Sequence, residues 1–121
     1  MHKRLSKQQL GSLGERIVAD ALAQRGHKIL GRNVRTRFGE IDLIARTDTT
    51  VLFVEVKTRT SRNFGLPEEA VGYKKRLHLS RCATALANEF AQGCDWAILI
   101  VAVEIDLNNR TARLRQIELD S

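Results

Sequence analysis

The sequence predicts an α/β domain built on a mixed five-stranded sheet flanked by helices. Three observations predict it. Apolar residues recur at helical spacing in two stretches, residues 10–22 and 70–90. Two runs, 51–56 and 96–103, are apolar on both faces, as covered central strands are. Turn-forming residues separate the remaining extended segments. The resulting order is helix, three strands, helix, two strands.

The first helix opens at Ser6, which forms a capping box with Gln9. Leu10, Leu13, Ile17 and Ala21 make its apolar stripe, widened by Val18 and Leu22, and Glu15 borders that stripe. Gly26 is the stop signal. An extended segment over 28–35 follows, then a turn at Phe38-Gly39. A strand over 40–45 places Glu40 and Asp42 on one face. Thr47-Asp48-Thr49-Thr50 closes a hairpin into the third strand. After a loop, Pro67 suits a helix start, and a helix is expected over 68–91, ending near Gly93. Residues 96–103 form the fourth strand. Asn108-Asn109 marks a hairpin, and 112–119 reads as a half-exposed edge strand. The first three strands should run antiparallel, with the long helix crossing over to a parallel fourth.

The 121 residues fit a single domain, residues 1–121, with a real core. An apolar fraction of 43% against 28% charged excludes a disordered chain. The longest apolar run is strand-sized, so no membrane span is expected, and no secretory leader is evident. Cys82 and Cys94 match no zinc pattern and read as reduced thiols, which fits a cytoplasmic protein. His2, His27 and His78 share no ligand spacing. A net charge of +6 favours an anionic partner, nucleic acid first.

The third strand carries the chemistry. In Val-Leu-Phe-Val-Glu-Val-Lys-Thr-Arg, Glu55 and Lys57 share a face with Val51 and Phe53. A charge buried there needs compensation. Asp42 lies on the adjoining strand and Glu15 on a helix that can cover the sheet. Such an oxygen-rich pocket suits Mg²⁺ or Mn²⁺, with Lys57 orienting a water or stabilising charge on a phosphate. The alternative from spacing alone is a structural ion pair. Glu40 reads as a surface or supporting residue.

Gly14-Glu15, Gly39-Glu40-Ile41-Asp42-Leu43-Ile44 and Phe53-Val54-Glu55-Val56-Lys57-Thr58-Arg59 resemble the bacterial UPF0102, or YraN-like, family. Phe64-Gly65, Pro67-Glu68-Glu69-Ala70-Val71 and a lysine at 74 or 75 extend the resemblance over nearly the whole chain. That family is grouped with the PD-(D/E)xK nucleases and looks related to archaeal Holliday junction resolvases. The resemblance implies a restriction-endonuclease-like fold. It implies Asp42, Glu55 and Lys57 as catalytic residues and Glu15, Asp42 and Glu55 as metal ligands. It also implies a homodimer, because a four-way junction needs two cuts. Ile41 stands where the superfamily motif has proline. Cys94-Asp95-Trp96 departs from an Arg-Phe-Asp-like pattern, so Asp95 receives no role.

Basic residues flank the pocket in sequence. Residues 57–81 hold seven Lys or Arg against Glu68 and Glu69, and residues 25–37 hold five with no acid. Arg35, Arg37, Arg59, Arg62, Lys74 and Lys75 are the candidate phosphate contacts. Aromatics make up 5%, too few for a base-stacking platform, so duplex or branched DNA is the expected partner. The expected function is a metal-dependent endonuclease hydrolysing DNA phosphodiesters, selective for junctions or branches. Its rivals are a non-catalytic nucleic-acid-binding module on the same fold and a protein-interaction domain with a structural ion pair.

Overall fold

The computed structural model describes residues 5–60 and 72–119. Its elements are α1 (Lys7–Gln24), β1 (Lys28–Thr36), β2 (Gly39–Arg46), β3 (Thr50–Thr60), α2 (Tyr73–Phe90), β4 (Asp95–Asp106) and β5 (Thr111–Leu119). They form one sheet in the order β1-β2-β3-β4-β5. β1–β2, β2–β3 and β4–β5 are antiparallel, while β3–β4 is parallel and joined through α2. The mixed five-stranded sheet with its helices is therefore the predicted α/β architecture. Arg62 and residues 64–71 lie outside the described residues.

The local signals act as expected at α1. Ser6 Oγ accepts the Gln9 N–H at 3.0 Å, and the Gln9 side chain accepts the Ser6 N–H at 2.9 Å. Gly26, at φ +91°, turns the chain out of the helix. The second helix begins at Tyr73, with Gly72 as its cap in extended backbone (φ −80°, ψ 173°); the first part of the expected helix, residues 68–71, lies outside the described residues. Glycine carries a low helix propensity, which explains a boundary there.

The sheet buries both faces. α1 lays Val18, Ala19 and Leu22 on Leu43, Ala45, Val54, Val56, Leu99 and Val101. α2 lays Leu79, Cys82, Ala83 and Leu86 on Ile41, Ile44, Val51, Phe53, Ile98 and Ile100. Phe53 meets Trp96 edge to face, with centroids 5.5 Å apart. Each large side chain so buried contributes about 1.5–3 kcal/mol. β3 and β4 are thus the two-sided central strands, and β5 is an edge.

Two irregularities position the site. Ile41 packs under α2 but Leu43 under α1, so the strand's alternation slips at Asp42. Across from it, Asn33 adopts φ +50°. The β2–β3 ladder runs from Arg46↔Val51 to Leu43↔Val54. Beyond it the Asp42 carboxylate enters between the strands, and Oδ2 accepts the Val56 N–H at 2.8 Å. The second irregularity is a close approach. A Cβ on Gly14 would lie 1.8 Å from Thr58 Oγ1, so only glycine lets α1 sit this near β3. Glu15 follows directly, carried to the end of the sheet where the strands part.

Candidate active site

Glu55 is the one buried charged side chain among the described residues, 4% exposed. It follows Val51 and Phe53 on the face of β3 covered by α2. The counter-charge comes from that helix: Lys75 Nζ lies 2.7 Å from Glu55 Oε2. The contact is short but poorly aligned, so the buried Oε2 lacks a well-placed hydrogen-bond donor. Lys75, read from the sequence as a phosphate contact, thus points into the pocket. Leu79, Cys82 and Leu86 follow it at helical spacing on the buried stripe of α2, which is the sequence signal for its direction.

Asp42 and Glu55 meet and share a hydrogen bond. Burial first, then the Glu55 carboxylate beside it, push the Asp42 carboxyl up to about 8. Burial alone would raise Glu55, but the hydrogen bond from Asp42 and the Lys75 ammonium outweigh it and hold Glu55 below its ordinary value. The pair therefore carries one proton at neutral pH, resident on Asp42. Burial would lower the Lys75 ammonium, yet the Glu55 carboxylate against it prevails and raises it. Lys57 is half-buried, and its charge also favours ionised Glu55.

Glu15 stands beside this pair rather than within it. Asn33, with its amide oriented to satisfy both neighbours, donates to Glu40 at 2.9 Å and to Glu15 at 3.2 Å. Glu40 also pairs with Arg35 at 3.7 Å. The slip at Asp42 thus sends Glu40 toward Glu15 while Asp42 joins Glu55, so the two acids do not share a face as a regular strand would dictate. Burial and the charges of Glu40 and Glu55 raise the Glu15 carboxyl, against the opposing Asn33 hydrogen bond. Among the described residues no group of three His, Cys, Asp or Glu side chains is gathered to hold a metal.

The donors still suit a hard divalent ion. Mg²⁺ is commonly held by one or two carboxylates, with water and substrate phosphates completing its shell. Asp42 and Glu55 supply two carboxylates, and the poorly partnered Oε2 is occupied only by a cation. The other described candidate phosphate contacts have various settings. Arg35 and Arg37 are exposed on and after β1, with the Arg37 guanidinium 4.7 Å above the Phe38 ring. Lys74 is exposed at the start of α2, and Arg59 is half-buried on β3. His27 Nδ1 lies 3.2 Å from the Leu22 carbonyl and His78 Nδ1 lies 3.1 Å from the Phe38 carbonyl.

The model of Uncharacterised protein family UPF0102 matches residues 14–107. The chain belongs to the UPF0102 family. It is 38% identical over 112 residues to a UPF0102 protein of Alkaliphilus oremlandii, across 91% of this chain and 95% of that relative. A UPF0102 protein of Caldicellulosiruptor saccharolyticus is 36% identical over 115 residues, across 94% and 98%. A UPF0102 protein of Caldicellulosiruptor bescii is 49% identical over 79 residues, across 65% of this chain and 66% of that relative. The resemblance read from the Gly-Glu, Gly-Glu-Ile-Asp and Glu-Val-Lys stretches is borne out. The UPF0102 match takes in Glu15, Asp42, Glu55, Lys57 and Lys75. No helix among the described residues is long and apolar enough to cross a membrane.

Proposed function

We propose that this chain is a metal-dependent endonuclease that hydrolyses DNA phosphodiesters, with branched or junction DNA preferred over plain duplex. The observation that carries the reading is the Asp42–Glu55 carboxyl pair, Glu55 buried and Asp42 half-buried, at the parting of β2 and β3 beside Lys57. Asp42 and Glu55 would hold Mg²⁺ or Mn²⁺, with Glu15 adding negative charge alongside. Bound there, such an ion supplies Lewis acidity at the phosphate and acidifies a water. With the ion bound, Asp42 would give its proton to solvent, leaving both carboxylates ionised. The Lys57 ammonium orients the attacking water or donates to the phosphate oxygen that gains charge. Arg35, Arg37, Arg59, Arg62, Lys74 and the net charge of +6 hold the DNA backbone. A symmetric pair of chains, joined through the β5 edge, belongs to the same proposal and would match two cuts to one junction.

A second reading, a nucleic-acid-binding module without cleavage, draws on one observation. The chain itself supplies the counter-charge of Glu55, through Lys75. The test is cleavage of labelled duplex, flap and four-way-junction DNA with Mg²⁺ or Mn²⁺, beside EDTA and Glu55→Gln. The nuclease reading expects metal-dependent cutting that Glu55→Gln abolishes. Salt-sensitive binding without cutting would establish the module instead.

A further inference from the structure

We propose that Lys75 is the site's internal counter-ion and that a divalent ion enters by displacing it from Glu55. This rests on the reading of Asp42 and Glu55 as the metal-holding pair. Its basis is geometric. Nζ stands 2.7 Å from Oε2, the one buried carboxylate oxygen among the described residues that lacks an aligned donor. A divalent ion held by the same carboxylate would be repelled by the ammonium beside it. The repulsion favours departure of one of the two cations.

Lys75 is the one built to leave. Its side chain is 41% exposed while that of Glu55 is 5% exposed. A lysine stem lets the ammonium swing to water with its methylenes still packed. Its helix gives it little reason to stay. Lys75 lies in the first turn of α2, where the helix dipole disfavours a cation, and no acid accompanies it there. Neighbouring Lys74 and Arg76 are exposed, so neither substitutes for it at Glu55. The ammonium thus keeps the carboxylate compensated when the ion is absent. Metal affinity is set by the exchange of one cation for another.

The test is Mn²⁺ binding to the full chain without DNA, by calorimetry or electron paramagnetic resonance. Lys75→Met should bind Mn²⁺ about tenfold more tightly than the unaltered chain, the effect of removing a competing charge pair. Lys74→Met, which removes an equal charge one residue away, should change affinity by less than about twofold. Lys75→Arg keeps the charge and should bind no more tightly than the unaltered chain. Mn²⁺ should also raise the Tm of Lys75→Met more than that of the unaltered chain, because only there does it fill an empty charge. If Lys75→Met folds only with Mn²⁺, that dependence supports the exchange; failure to recover with Mn²⁺ overturns it. Equal binding by Lys75→Met and Lys74→Met overturns the exchange and leaves the metal pair standing. No Mn²⁺ binding by any of these proteins overturns both.

Discussion

Lys75 on α2 and Glu55 on β3 form an ion pair at 2.7 Å inside the sheet–helix interface. It answers how a strand apolar on both faces tolerates a carboxylate. Removing one partner strands a buried charge, whereas removing both does not. Lys75→Met should therefore lower stability by about 1–3 kcal/mol, less than for a fully buried pair because Lys75 is partly solvated. Lys75→Met combined with Glu55→Gln should recover most of that loss. Urea unfolding of the two single variants and the double variant gives the coupling directly.

Stability should fall with rising pH between about pH 5 and pH 8. Asp42 is raised to about 8 in the folded chain. An unfolded Asp titrates near 3.9, so above that pH the folded state holds a proton that the unfolded state has lost. Unfolding then releases a proton and is favoured as pH rises, by up to about 1.4 kcal/mol per unit. Glu55 is lowered, so its own contribution is lost on the acid side, below about pH 4, and leaves this window clear. Asp42→Asn should flatten the slope and be the more stable protein at pH 9. Urea unfolding from pH 5 to pH 9 checks this.

Gly14→Ala should cost about 1–3 kcal/mol through overpacking. Its Cβ would fall 1.8 Å from Thr58 Oγ1 and 2.9 Å from Thr58 Cγ2, forcing α1 off β3. Thr58→Ala deletes two of the three clashing atoms, leaving only its Cβ at 2.9 Å, and the hydroxyl it removes is buried without a partner. The double variant should regain part of the loss in chemical denaturation. An alanine at 14 that leaves stability unchanged would show that α1 can shift freely, and with it Glu15.

The elements were legible because they obey local rules. The Ser6–Gln9 box, the helical stripe of α1, and the two-sided apolar runs of β3 and β4 each state their structure within a few residues. So was the association of Asp42 with Glu55, since a short hairpin fixes neighbouring strands. The slip at Asp42 was not legible. It follows from the parting of β2 from β3 and the left-handed Asn33 opposite, a tertiary arrangement. Hence Glu40 was placed with Asp42 but lies with Glu15. The partner of Glu55 had a signal that composition obscured. Lys75 belongs to the buried stripe of α2, but within a basic stretch it reads as one more surface charge. Gly72 caps α2 at Tyr73, a boundary that a glycine inside the basic stretch signals.

The central claim is that the Asp42–Glu55 pair is the centre of a DNA-cutting enzyme. Single-turnover cleavage of a labelled four-way junction with Mg²⁺ tests it most directly when paired with binding of the same DNA by Asp42→Asn. Asn keeps the shape and neutral charge that Asp42 holds at pH 7 but offers no carboxylate. The account predicts that Asp42→Asn binds the junction as the unaltered chain does and cuts it at least about a hundredfold more slowly. Equal cutting by both proteins, or no cutting by the unaltered chain with Mg²⁺ or Mn²⁺, would contradict it.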